Sequence, residues 1–293
     1  MGLDSTAPRK FSRTQMKLPS PKIIMSQNIQ LAAEAIRKAD AILIGAGAGM
    51  GVDSGLPDFR GNDGFWKAYP TLHGRPFAQM STPHWFHTDP QLAWGFFGHR
   101  LNLYRDTVPH EGFQILRRLA EHTPLGCFVF TSNVDGQFQK AGFSADLIEE
   151  CHGSIHHLQC SARCSRDIWS AKDIRVDVDE STLTARGDLP CCPSCGAVAR
   201  PNIMMFDDGE WLGSRASEQY GRRKDFLSHV EGKKLVAIEL GAGTAIPTVR
   251  MTSECYGRPL IRINPREPQA PSGAIPIGLG ALEALMELEQ AIG

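Results

Sequence analysis

The chain is 293 residues long, 42% hydrophobic and 22% charged, the make-up of a globular protein with ample core. Its 31 Lys and Arg nearly cancel its 32 Asp and Glu, so no global field draws it to nucleic acid or to a membrane surface. No apolar run reaches the roughly 18 residues of a membrane span, and the N-terminus lacks the apolar stretch of a secretory signal; a cytoplasmic protein with reduced thiols is expected.

Residues 1–26, rich in Ser, Pro and Lys, read as a disordered extension ahead of a folded body over 27–293. Residues 27–39 carry apolar side chains at helical spacing and are expected to pack beside the first strand. That strand is Ala41–Ile44, an apolar run bounded by Asp40 and Gly45, the pattern of a strand buried on both faces. Gly45, Gly47, Gly49 and Gly51 follow at every second position. Such a stretch lets backbone N–H groups approach a phosphate-bearing ligand, and it equally suits a plain tight turn. Residues 62–107 hold Trp66, Trp85 and Trp94 and are cut into short pieces by Pro70, Pro76, Pro83 and Pro90. They read as a helical insert whose aromatics form a small core or line a cleft.

A helix is expected from Glu111 to His122, then a buried strand over Cys127–Phe130 that ends in Thr131-Ser132-Asn133-Val134-Asp135-Gly136. Polar residues just past a parallel strand stand where α/β sheets bind ligands, which makes Asn133 and Asp135 binding candidates. Capping of a helix around Phe138–Lys140 explains them as well. Residues 146–153 form a further strand closing on His152-Gly153. A lone histidine often serves structure, but at this edge an imidazole is suited to take a proton near neutral pH.

Five of the eight cysteines fall within residues 160–195. Cys160-x3-Cys164 and Cys192-x2-Cys195 make two close thiolate pairs, the donor set of a tetrahedral structural zinc, with Cys191 as an alternative to Cys192. Between them Ile174–Val178 alternates like a strand, as a ribbon-type zinc module requires. Strands are expected again at Lys234–Leu240, leading into Gly241-Ala242-Gly243-Thr244, and at Pro259–Ile263, ending at Asn264-Pro265. A helix over 279–291 closes an α/β pattern.

In this order the segments resemble the sirtuins, the NAD-dependent protein deacylases, in a divergent, bacterial-like form. The resemblance rests on S-G-L-P-D-F-R-G (54–61), T-S-N-V-D-G (131–136), E-C-H-G (150–153), the paired cysteines, A-R-P-N-I-M-M-F (199–206), G-A-G-T (241–244) and I-N (263–264). It implies a Rossmann-like parallel sheet (about 27–61, 108–154 and 206–293) and a smaller domain made of the helical insert and the zinc module (about 62–107 and 155–205). NAD and an acylated protein lysine would meet between them. On this pattern Ala48, Gly49, Asp58, Phe59 and Arg60 belong to the cofactor loop, with Phe59 beside the nicotinamide ribose. Ser132, Asn133 and Asp135 hold the ribose–nicotinamide end, and Asp135 engages the carboxamide. Gly241, Gly243 and Asn264 face the adenosine half. His152 is the general base, Met205 and Phe206 meet the substrate, and the zinc is structural.

The chain departs from that pattern in places. Gly51 and Gly243 stand where serine is usual, and Ser132 where glutamine is usual. Gln137-Phe138 replaces Leu-His, and Phe206-Asp207-Asp208 replaces Phe-Gly-Glu. Arg100 resembles the arginine of the Tyr-x-x-Arg acyl-carboxylate clamp of desuccinylating members, with Phe97 in the tyrosine's place; an ordinary surface or core-edge arginine is the other reading. The altered loops also leave room for NAD hydrolysis, for protein ADP-ribosylation, or for a non-catalytic NAD-binding sensor.

Overall fold

The computed structural model describes residues 20–57 and 61–293. The first half of the chain runs α1 (Pro21–Arg37), β1 (Ala41–Ala46), a 3-10 turn over Ala48–Ser54, then α2 (Gly61–Ala68), α3 (Phe77–Met80), α4 (His84–Thr88) and α5 (Pro90–Asp106). It continues with α6 (Glu111–Glu121), β2 (Cys127–Thr131), α7 (Gln137–Lys140) and β3 (Ile148–Glu150). Four short strands follow, β4 (Gly153–Cys160), β5 (Ile168–Ser170), β6 (Asp177–Asp179) and β7 (Thr184–Arg186), then β8 (Ala199–Ile203). The chain closes with α8 (Ser214–His229), β9 (Leu235–Leu240), α9 (Thr248–Tyr256), β10 (Leu260–Ile263), β11 (Ile275–Ile277) and α10 (Ala281–Ile292).

Six strands form one parallel sheet in the order β11-β10-β9-β1-β2-β3. Alternation along each strand sends side chains to two cores. Ile42, Ile44, Val129, Ile238 and Ile261 face α1, α6 and α10, where Ile29, Phe113, Leu116, Leu285 and Leu288 are buried. Leu43, Phe128, Phe130 and Leu260 face the other way, onto Val249 of α9 and Phe226 of α8. Each such buried side chain contributes about 1.5–3 kcal/mol, so the sheet is a rigid platform for the loops at its edge. Successive strands move from β1 to β2 and β3 on one side, and from β9 to β10 and β11 on the other. The switch point therefore lies between β1 and β9, the place where open parallel sheets take ligands.

A second sheet, β5-β4-β8, is antiparallel, and β6 and β7 form a hairpin. Helices α2–α5 and these strands share a single core, with Phe65, Trp94, Phe96, Phe97 and Leu101 packed among Ile155, Leu158, Val176, Leu183 and Ile203. The Trp94 indole N–H donates to the Ala199 carbonyl at 2.9 Å, tying α5 to β8. The insert aromatics thus form the small core that was one of their two sequence readings.

Three expectations are corrected. The first helix begins at Pro21, not at 27, because proline suits a first helical turn and Met25 and Asn28 already dock on the body; residues 1–19 of the expected extension lie outside the described residues. The strand expected over Ile174–Val178 forms only from Asp177. Its first residues give their carbonyls to α5 instead, Val176 to Asn102 at 2.8 Å and Ile174 to Arg105. Arg100 is neither a surface nor a core-edge residue. It is 5% exposed, donates to the Tyr104 hydroxyl at 3.0–3.1 Å and lies over the rings of Phe96 and Phe97.

Candidate active site

The 3-10 turn leaves β1 at the switch point. Its Gly49 N–H donates to Gly241 O at 3.0 Å, and Gly47 N–H to Leu240 O at 3.0 Å, which locks the turn after β1 to the turn after β9. Gly241 has φ +59°, and a Cβ there would stand 2.4 Å from the Gly49 carbonyl carbon, so only glycine fits. Ala48 opens the turn directly after Gly47. Asp58, Phe59 and Arg60 lie outside the described residues.

The polar stretch after β2 bends back over this turn. Thr131 Oγ1 donates to Ala46 O at 2.9 Å and accepts from Asn133 N–H at 3.0 Å, while Asn133 Nδ2 donates to Gly47 O at 3.0 Å. Asp135 Oδ1 accepts from Gln137 N–H at 3.0 Å, a side-chain turn leading into α7, whose cap position itself is Gly136. The carboxylate is closely surrounded by protein although the residue keeps part of its surface. Desolvation pushes its pKa up to about 6, against the opposing pull of the Gln137 N–H.

His152 follows β3. Its carbonyl accepts from Met204 N–H at 2.9 Å, which ties it to the β8 loop. Burial lowers its pKa, with the Ser132 backbone opposing, which leaves a neutral imidazole at pH 7. On the far side of the switch point, Asn264 is fully buried: Nδ2 donates to Ala242 O at 2.9 Å, and Oδ1 accepts from the N–H groups of Arg266 and Glu267 at 3.0 Å. Gly243, in the loop after β9, is half-buried.

Residues after β8 close the other wall. Met205 is buried, and Phe206 is 37% exposed with its ring edge-on to Phe77. Asp208 ties this loop down, pairing with Arg200 and accepting from Met205 N–H at 3.1 Å and Glu210 N–H at 3.0 Å. Asp207 has φ +53°, a left-handed conformation that Asp tolerates better than most residues. Sequence reasoning gave no place to His110 and His156, which orient this site. His110 caps α6 and reaches Met50 O at 2.9 Å; His156 Nε2 reaches Asp135 O at 2.8 Å.

The four cysteines form a separate cluster at the far end of β4. Cys160 and Cys195 sulfurs are 3.6 Å apart, Cys164 and Cys192 sulfurs 3.5 Å, and all four lie within 4.8 Å of one another. A tetrahedron with zinc–sulfur bonds of about 2.3 Å has edges of about 3.8 Å, so the set fits zinc. Backbone N–H groups of Ser194 and Cys195 favour the Cys192 thiolate and bring its pKa down to about 6. Cys191 turns away to Leu189 O at 3.2 Å, so Cys192 and not Cys191 belongs to the quartet.

The Sir2 family model matches residues 47–227. The NAD-dependent protein deacylase of Aeropyrum pernix is 30% identical over 252 residues, covering 84% of this chain and 90% of that protein. NAD-dependent protein deacylase 1 of Caldanaerobacter subterraneus subsp. tengcongensis is 26% identical over 270 residues, covering 91% of this chain and all of that protein. The crystal structure of a Sir2 homolog–NAD complex superposes with a TM-score of 0.67 at 22% identity, over 90% of this chain and 93% of the other, a likeness of fold. With the family model spanning more than half of its length, this chain belongs to the Sir2 family.

Proposed function

We propose that this protein is an NAD-dependent protein-lysine deacylase. It moves the acyl group of an acylated protein lysine to the ADP-ribose part of NAD, releasing free lysine, nicotinamide and O-acyl-ADP-ribose. Two relatives of high coverage carry the name NAD-dependent protein deacylase. One observation supports the reading above the others: a half-buried, neutral imidazole, His152, stands at the edge of the sheet where β2 and β3 end, near the locked turns of the switch point.

NAD supplies an electrophilic ribose carbon when its nicotinamide bond breaks. The chain's part is to position, desolvate and take a proton. Backbone around Ala48 and Gly49 holds the pyrophosphate, Gly241, Gly243 and Asn264 bound the adenosine half, and Ser132, Asn133 and Asp135 hold the ribose–nicotinamide end. Asp58, Phe59 and Arg60 complete the cofactor loop on the family pattern. His152 accepts a proton from a ribose hydroxyl, and the wall of Met205 and Phe206 receives the lysine side chain.

The four cysteines would hold zinc as a staple of the small domain, remote from this chemistry. None of the eight cysteines is in a disulfide, and no helix among the described residues is long and apolar enough to cross a membrane. Both observations suit the cytosol, where acylated proteins are at hand. The Asp207-Asp208 departure does not favour another activity, since Asp208 is spent on Arg200 and on backbone N–H groups.

Mass spectrometry of NAD products, with and without acetylated and succinylated peptides, tests the reading. Nicotinamide and O-acyl-ADP-ribose should form only with acyl peptide, and His152→Ala should abolish both. Nicotinamide release independent of peptide, or full deacylation by His152→Ala, would overturn it.

A further inference from the structure

Strand β4 is irregular where it passes the site. Its pairing with β8 shifts register between Ser154 and Leu158, which frees residues 155–157 from the ladder. Bulges of this kind commonly re-aim a side chain beside a functional site. Here the freed segment grips the loop after β2 at two points. Ile155 N–H donates to Val134 O at 3.0 Å, and the His156 ring donates from Nε2 to Asp135 O at 2.8 Å.

The Cδ2–Nε2 edge of the imidazole also abuts the next residue. Gly136 has φ +70°, and a Cβ there would fall 2.6 Å from His156 Cδ2. The Asp135–Gly136 peptide is thus held at its carbonyl and at the Gly136 Cα by the edge of one ring. The same peptide helps to set where the Asp135 carboxylate points, together with Gln137 N–H, one peptide further on, which donates to Oδ1 at 3.0 Å. An acceptor closely surrounded by protein depends on such fixed supports to keep its orientation.

We propose that His156 is a positioning residue, whose imidazole fixes the Asp135–Gly136 peptide and so aims the Asp135 carboxylate at the carboxamide end of NAD. The inference rests on the functional reading above and adds to it a residue that does not touch the ligand. A glutamine in its place retains an N–H donor at similar reach; an alanine removes both the hydrogen bond and the packing against Gly136.

The test is NAD binding by calorimetry on the full chain, for wild type, His156→Ala, His156→Gln, Asp135→Asn and the double variant His156→Ala/Asp135→Asn. Loss of the clamp should weaken NAD about tenfold in His156→Ala, with recovery in His156→Gln. In the double variant the effect of His156→Ala should vanish, because the residue it acts through is already changed. Thermal unfolding of each variant identifies those that fold; His156→Gln and the cycle keep the test decisive should His156→Ala be unstable. Wild-type affinity in His156→Ala, or additive effects in the cycle, would overturn the inference. Wild-type protein that neither binds nor cleaves NAD would instead overturn the functional reading.

Discussion

The N–H of Gly49 meets the carbonyl oxygen of Gly241 at 3.0 Å, which makes the turns after β1 and β9 a single support. The two are nearly 200 positions apart, and their contact lies at the one place where the strand order reverses. Gly241→Ala would put a Cβ 2.4 Å from the Gly49 carbonyl carbon and hold alanine at φ +59°. The conformational term alone costs about 1–2 kcal/mol, and the clash is with backbone, which cannot swing aside. Expected outcomes are a lower unfolding midpoint and NAD affinity reduced by at least about tenfold in calorimetry. Unchanged affinity would show that the two turns do not jointly shape the cofactor site.

Asp135 pairs a stability cost with a function. Its pKa is raised to about 6, from an ordinary 3.8, chiefly by desolvation. A carboxyl raised in the folded state favours folding when protonated, and that contribution is lost as pH rises through the folded value. Asp135→Asn keeps an oxygen for Gln137 N–H without the buried charge. It should gain about 1–3 kcal/mol over wild type at pH 8, and the gain should shrink as pH falls from 6 toward 4. Denaturant unfolding at the two ends of that range measures it. Deacylation should fall sharply in the same variant, since the charge destabilises the fold and serves the site.

His152 sets a second pH dependence. Burial lowers its pKa below the ordinary 6.5, so the imidazole is free to serve as the proposed base at pH 7 and would lose that role only on acidification. The rate of deacylation at saturating NAD should therefore be flat from about pH 7 to 8 and fall below about 6.5, a region that Asp135 shares. In Asp135→Asn the residual activity should keep an acid limb belonging to His152 alone. Its disappearance in that variant would assign the limb to Asp135 and leave His152 without a titration in the reaction.

The elements legible in sequence were those held by apolar patterns. Ala41–Ala46, Cys127–Thr131 and Leu235–Leu240 are apolar runs apart from Thr131 and Glu239, and each is a central strand. Helix α8 had no such signal, because its buried positions are Gln219 and Arg223. It docks through Phe226 and largely through polar contacts: Gln219 accepts from Glu150 N–H at 3.1 Å, and Arg223 pairs with Glu149 at 2.7 Å while lying over the Phe130 ring. Strand β4 was hidden by its bulge, which breaks the alternation that marks a strand. The zinc quartet was legible because cysteine spacing carries its own chemistry. His110 and His156 were not, since a histidine that serves a distant carbonyl has no local pattern.

The quartet predicts its own test. The purified protein should hold about one zinc per chain by elemental analysis, and Cys195→Ser should lose it. Because β4 and β8 lead directly from the cysteines to the site loops, metal loss should lower the unfolding midpoint and the deacylation rate together. A metal-free variant with wild-type melting would remove zinc from the account of the fold.

Arg200 and Asp208 bury a complete ion pair, both side chains 0% exposed, directly under the loop of Met205 and Phe206. Burial raises the Asp208 pKa, but the Arg200 guanidinium and two backbone N–H groups outweigh it, so the carboxylate is held below its ordinary value. Removing one partner strands the other charge in the interior, which costs about 3–5 kcal/mol. Asp208→Ala should therefore destabilise by that amount, and it also frees Met205 N–H and Glu210 N–H from their shared acceptor. Asp208→Asn removes the charge but keeps one oxygen, an acceptor for one of those two N–H groups, and serves as the milder probe. In it, KM for acyl peptide should rise several-fold while KM for NAD changes little, because the proposed function makes the loop it steadies the peptide wall and not part of the switch point. Equal increases in both constants would mean that the loop after β8 supports the whole cleft, and the division between peptide wall and cofactor turns would have to be abandoned.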